Sequence, residues 1–192
     1  MSNIHFEPWI GNNYWDGSCF GKKILVLGES HHGHDMGSSM TQDILYDQTY
    51  SNKTYPAYTK FERALVGYKT NCQTRQNIWN SVMFYNYVQS CVPKSRQSPE
   101  QWQFDESAEA FFEILETYKP DVILVWGSRL WEALPYTNYE ADDNYGYDGY
   151  EYRCGSYTTD SGIVIPCYEM QHPSSGFTWS WWHDYLTYNN II

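Results

Sequence analysis

The chain has 192 residues, enough for one globular domain with its own core and short for two. Its formal net charge of −11, with only 12 Lys and Arg, argues against a protein that coats nucleic acid, because non-specific affinity for phosphates comes from clustered cations. Any contact with DNA must then be local. Aromatic residues make up 19%, including 19 Tyr and 9 Trp, more than a core alone takes up, so part of them is expected near the surface with polar tips in water.

The start, MSNIHFEPWIG, lacks the charged and apolar regions of a secretory signal. No apolar run approaches the ~20 residues needed to span a bilayer, so a cytoplasmic protein without membrane contact is expected. The segment Lys22 to Leu27 (KKILVL) is an apolar run ending at Gly28 and reads as a buried parallel strand followed by a tight turn. Thr59 to Tyr68 places Phe61, Ala64, Leu65 and Tyr68 on one helical face, and Val82 to Val88 (VMFYNYV) reads as a second strand. Asp105 to Lys119 opens with a capping residue and early acids, carries Phe111, Ile114, Leu115 and Tyr118 at helical spacing, and stops at Pro120. Val122 to Trp126 (VILVW) follows as a strand, Gly127 and Ser128 as a turn, and Arg129 to Leu134 as a helix ended by Pro135. Tyr139 to Tyr152 (YEADDNYGYDGYEY) is acidic and aromatic and reads as a solvated loop or irregular hairpin turning at Gly146 and Gly149. Its simplest role is solubility; a protein partner could also use it. Ile163 to Met170 is a fourth strand, which Pro166 assigns to an edge or a bulge. Thr178 to Tyr188 reads as a terminal helix packed on the sheet. Cys19, Cys72, Cys91, Cys154 and Cys167 form no CxxC pair and read as unpaired thiols.

Strands and helices alternate, which predicts one α/β domain over residues 1–192, a three-layer α/β/α sandwich around a short, mostly parallel sheet. Such sheets bind ligands beyond the carboxyl ends of their strands. The polar segments GESHHGHD, the Asn86 region, GSR and QHPSSGF should converge there.

Gly28-Glu29-Ser30 after the first strand, Asn86 in FYNYV, VILVWGSRLWEAL, and His172-Pro173-Ser174-Ser175-Gly176 together resemble the uracil-DNA glycosylase superfamily. The resemblance runs from about Lys22 to Phe177 and covers most of the chain. It implies a uracil-DNA glycosylase-like fold and hydrolysis, without a cofactor, of the N-glycosidic bond of uracil or another damaged or modified base. By the same resemblance His172 stabilises the departing base, and Asn86 reads its polar edge, with His31 and His32 beside it. Glu29 serves water or the sugar cation, with Ser30 as a water-positioning group and Asp35 in reserve. Gly127, Ser128, Ser174 and Ser175 would meet the DNA backbone, and Phe177 or Trp179 would wedge into the gap left by the base. Ser30, His31 and His32 depart from the family's pattern at this segment. A non-catalytic protein of the same fold, holding a nucleotide, a modified base or a protein partner, is the alternative.

Each of these residues also has a plainer reading: His172 as a turn histidine, Asn86 as a strand-end cap, FTWSWW as rings buried by the terminal helix. His31, His32, His34 and Asp35 are metal-ligand types, yet neighbouring loop residues point apart and no fourth ligand is evident, so no metal is expected. The five cysteines do not show the pattern of the family's iron-sulfur branch. Lys94, Arg96 and Arg129 are the cations expected to face a phosphate.

Overall fold

The computed structural model of the protein describes residues 2–16, 19–51, 53–94, 97–142 and 146–192. In chain order its elements are β1 (Trp9–Ile10), a 3₁₀ turn (Tyr14–Asp16), β2 (Ile24–Gly28), α1 (Met40–Tyr50), α2 (Pro56–Val66), α3 (Cys72–Trp79), β3 (Val82–Asn86), α4 (Gln101–Glu106), α5 (Ala108–Tyr118), β4 (Val122–Trp126), α6 (Ser128–Ala133), β5 (Tyr139–Asp142), β6 (Gly146–Tyr147), β7 (Tyr150–Glu151), β8 (Cys154–Thr158), β9 (Val164–Met170) and α7 (Trp179–Tyr188).

Seven strands form one sheet in the order β1-β3-β2-β4-β9-β8-β5. The central four, β3, β2, β4 and β9, run parallel. β1 is antiparallel on one edge, and β8 and β5 extend the other edge antiparallel. The sheet is therefore mixed and wider than the short, mostly parallel one expected. β2, β3 and β4 are buried at every position, as their uninterrupted apolar runs require when both faces are covered. Because side chains alternate along a strand, Ile24, Val26, Phe84, Leu124 and Trp126 meet α2, α3 and α7 on one face. Leu25, Leu27, Tyr85, Ile123 and Val125 meet α4, α5 and α6 on the other. Helices thus cover both faces of the sheet.

Several expectations shift by a definite cause. The helix expected from Asp105 is two helices, and it begins earlier, where Glu100 and Gln103 form a reciprocal cap. The break is Ser107, whose hydroxyl donates to the Gln103 carbonyl and accepts the backbone N–H of Gln89, a side-chain competition that interrupts helical bonding. Tyr68 lies beyond α2, which ends at Gly67 in the left-handed conformation, and is exposed. Pro166 sits on a strand paired on both sides; it faces Ser156 of β8, and the ladder to β4 starts at Cys167, so its missing N–H breaks no bond to β4. In the acidic run, β5 joins the main sheet, and β6 and β7 form a separate hairpin through Asp148 and Gly149, both at positive φ, the geometry of a type I′ turn. Gly146 is in the strand and not the turn. No helix among the described residues is long and apolar enough to cross a membrane.

Candidate functional site

The parallel strands end side by side. Asn86 stands opposite Gly28 and Trp126 opposite Met170, and the Gly127 N–H donates to the Met170 carbonyl at 2.7 Å. Beyond these ends the first two loops stay zipped together: Tyr87 donates to the Gly28 carbonyl, Val88 to that of Glu29, and His32 pairs with Val92. The polar segments read from the sequence are thereby held along one edge.

Phe84 and Asn86 share a face of β3 by strand alternation. A Cβ on Gly28 would lie 2.4 Å from Asn86 Oδ1 and 2.7 Å from Phe84 Cζ, so the glycine leaves the room that both side chains occupy. The Phe84 ring is 5.3 Å from Trp126 and 5.4 Å from Tyr58, and His172 sets its edge against Trp126 at 5.8 Å. An amide, three aromatic rings and an imidazole therefore gather at the sheet's carboxyl edge.

The tautomer of His172 follows from its contacts. Its Nδ1 accepts the backbone N–H of Ser174 at 3.1 Å and lies 2.7 Å from the Ser174 hydroxyl. A ring nitrogen that accepts an N–H carries no proton, so the neutral ring bears its hydrogen on Nε2. Burial lowers the pKa of His172; the Glu29 carboxylate opposes that shift, and Arg129 and His32 add to it. Ser175 supports the same turn through N–H and hydroxyl bonds to the His172 carbonyl. Gly127, at φ 98, would bring a Cβ to 3.4 Å from His172 Cβ, and its conformation is one that side chains resist.

Glu29 is clamped by Arg129, whose Nε and Nη2 donate to its two oxygens at 2.7 and 2.5 Å while Nη1 reaches the Ser98 hydroxyl. This bidentate pair occupies both carboxylate oxygens, which does not suit the water-activating role expected of Glu29. It also spends Arg129, expected to face a phosphate. Among the described residues the buried Ser30 hydroxyl and Trp126 indole N–H find no hydrogen-bond partner.

His31 is 4% exposed. Its Nε2 lies 2.8 Å from the Thr41 hydroxyl and 3.1 Å from Asn86 Nδ2, and its ring edges onto Phe6. Burial first, and then the charge of His32, push its pKa down to about 4 against the pull of Asp35. The Asn86 amide nitrogen is thus already engaged inside the protein. His32 and His34 stay exposed, and Asp35 is bound to His5 and to the Gly37 N–H. Among the described residues no three His, Cys, Asp or Glu side chains gather as a metal-ligand set.

Two other expectations change. Phe177 is no wedge: it is 6% exposed and stacks on Trp182 at 5.7 Å in the core, because the turn at Gly176 sends it inward. Ser174 and Ser175 orient His172 and so are not free for a backbone contact. Ser128 is exposed, its carbonyl taken by Arg153 at 3.4 Å. Lys94 is exposed near the edge, and Arg96 lies outside the described residues. Sequence reading missed Phe84, Trp126, Tyr58 and Thr41. For Phe84 the signal was present, two residues before Asn86 on one strand. Away from this edge the described residues enclose a small cavity of about 10 Å³ beside Trp131 and Cys167 and line an open groove of about 400 Å³ beside Tyr147 and Tyr188.

The fold and this edge define an α/β protein with a buried amide, a neutral imidazole and a clamped ion pair at its strand ends. No family model matches the chain, and no curated protein matches it significantly in sequence.

Proposed function

We propose that the protein hydrolyses an N-glycosidic bond, acting on a nucleobase extruded from a nucleic acid strand. The observation that carries this reading is the His172 ring, whose Nδ1 is held by Ser174 and whose Nε2–H has no hydrogen-bond partner among the described residues. When the bond between sugar and base breaks, its electron pair leaves on the base, and a fixed N–H donor stabilises that charge more than it stabilises the neutral substrate. Water adds its hydroxide to the sugar carbon, and its proton goes to solvent while the departed base is reprotonated. Glu29 supplies negative charge toward the sugar cation, and Arg129 fixes its orientation. The Asn86 amide and the rings of Phe84, Trp126 and Tyr58 would receive the base, once Asn86 exchanges His31 for the base edge.

The test is single-turnover cleavage of oligonucleotides carrying uracil, hypoxanthine, xanthine, a thymine mismatch or a bulky modified cytosine, with abasic sites counted after alkaline cleavage. His172→Ala is expected to lower the rate of the active substrate by roughly a hundredfold with little change in binding. An active substrate cleaved at the wild-type rate by that variant would remove His172 from the chemistry.

A second reading is favoured by one observation: the Asn86 amide nitrogen and both Glu29 oxygens are already engaged within the chain. A site so closed fits a protein that binds a nucleotide or modified base without cleaving it. Nucleotide binding with no cleavage anywhere in the panel selects this reading.

A further inference from the structure

The hairpin β6–β7 does not hang free. Tyr147 packs against Trp181 at 5.5 Å and Tyr188 at 5.3 Å, and Tyr150 against Trp181 at 5.6 Å, so the hairpin is docked on α7 by its rings. Between its turn and Tyr188 lies a groove of about 400 Å³ lined by Tyr147, Asp148, Gly149, Tyr150, Glu151 and Tyr188. That volume is within the range of small-ligand sites. Tyr150 and Tyr188 are 61% and 70% exposed, an unusual placement for two large rings in one concavity.

Among the described residues, the charged side chains that line this groove have one sign. Asp148 and Glu151 line it, and burial, followed by the neighbouring Asp184 and Asp148 carboxylates, raises the pKa of the Tyr147 phenol, so the ring stays neutral. The last turn of α7 holds no basic side chain, which leaves the negative end of its dipole facing this region. Lys22 answers the carbonyl of Asn190, beyond the helix. Ring faces carry negative charge density and attract a cation placed over them. A neutral ligand would gain from the rings and nothing from the carboxylates; an anion would be repelled by both.

We propose that this groove binds the alkylammonium group of a lysine-type side chain on a basic peptide segment of a protein partner. Tyr147, Tyr150 and Tyr188 supply the ring faces, and Asp148 and Glu151 supply the counter-charge. The site is independent of the strand-end chemistry, and its test needs no glycosidic substrate.

The full chain is titrated calorimetrically with a short lysine-containing peptide, with the same peptide carrying norleucine for lysine, and with tetramethylammonium chloride alone. The lysine peptide is expected to bind at least tenfold more tightly than its norleucine counterpart. Tyr150→Ala and Tyr188→Ala should each weaken it roughly fivefold, and Glu151→Gln should do so too; because both tyrosines also pack the hairpin on α7, each variant is titrated at a temperature where its circular-dichroism spectrum matches that of the wild type. The tyrosine variants leave the net charge alone, so their effect separates ring contact from general attraction to an acidic protein. Equal affinity for the norleucine peptide, or indifference to both tyrosine variants, would overturn the site. Tetramethylammonium binding as tightly as the peptide would overturn the assignment to a peptide.

Discussion

A histidine taken out of water surrenders its proton more readily, because the charged ring loses more solvation than the neutral one. His31 and His172 share this cause, but their neighbours differ. His172 keeps an N–H at the sheet edge without a partner among the described residues, whereas the His31 ring is wedged between Phe6, Thr41 and Asn86. For His31 the consequence can be read in stability. Above its ordinary pKa of 6.5 the ring is neutral folded or unfolded, and its contribution is complete. As pH falls from 6.5 toward about 4, the unfolded chain takes up a proton that the folded ring refuses, so stability declines. A shift of that size corresponds to on the order of 3 kcal/mol by pH 4. Urea unfolding at pH 7, 5.5 and 4.5 should show this loss, and His31→Gln should reduce the slope by about one proton. A variant whose stability falls as steeply as the wild type would show that His31 is not the group responsible.

At the scale of elements, the contact between β2 and β3 is set by an absence. Gly28→Ala places a methyl group where Asn86 Oδ1 and Phe84 Cζ now sit, and overpacking of this kind costs about 1–3 kcal/mol. The cost should fall in an Asn86→Ala background, since the nearer obstacle is then gone. A double-mutant cycle measures the coupling, and strict additivity would mean the strands relax by another route. Gly28 was legible because a glycine closing an apolar run marks a strand-to-turn change. β4 was legible for a similar reason, its run VILVW being uninterrupted, and α7 through its concentration of aromatic rings. α1 and α3 were not: α1 buries Gln48, Thr41 and Thr49 beside Met40 and Leu45, and α3 buries only Ile78 and Trp79, so neither shows an apolar stripe. What holds them is tertiary, a fully buried Glu62 on α2 that accepts from Gln48, Thr70, Arg75 and Trp79. β8 (CGSYT) lacks alternation and exists through its register between β5 and β9. At the site, the strand-end position of His172 could be read locally. The Glu29–Arg129 clamp joins residues 100 apart, and no local pattern announces such a pair.

At the scale of the molecule, net charge decides how any nucleic acid could be held. A protein with 12 cationic and 23 anionic side chains repels a polyanion at long range, and only short-range contacts at the site can oppose that repulsion. Of the cations near the strand ends, Arg129 is committed to Glu29, and Lys94 is exposed without an ion-pair partner among the described residues. Each phosphate neutralised adds about −0.7 to −0.9 to the slope of log K against log salt. With one or two cations available, the slope should be no steeper than about −2, far below that of proteins that grip the backbone along its length. Affinity would then come from the base, held by Asn86 and the rings around it, and would survive when the oligonucleotide is shortened to a few nucleotides. Fluorescence anisotropy of a labelled oligonucleotide between 50 and 300 mM salt measures this directly. A slope of −5 or steeper would mean that the chain gathers cations in a way its strand-end geometry does not provide. In that case the backbone, and not the base, would carry the binding.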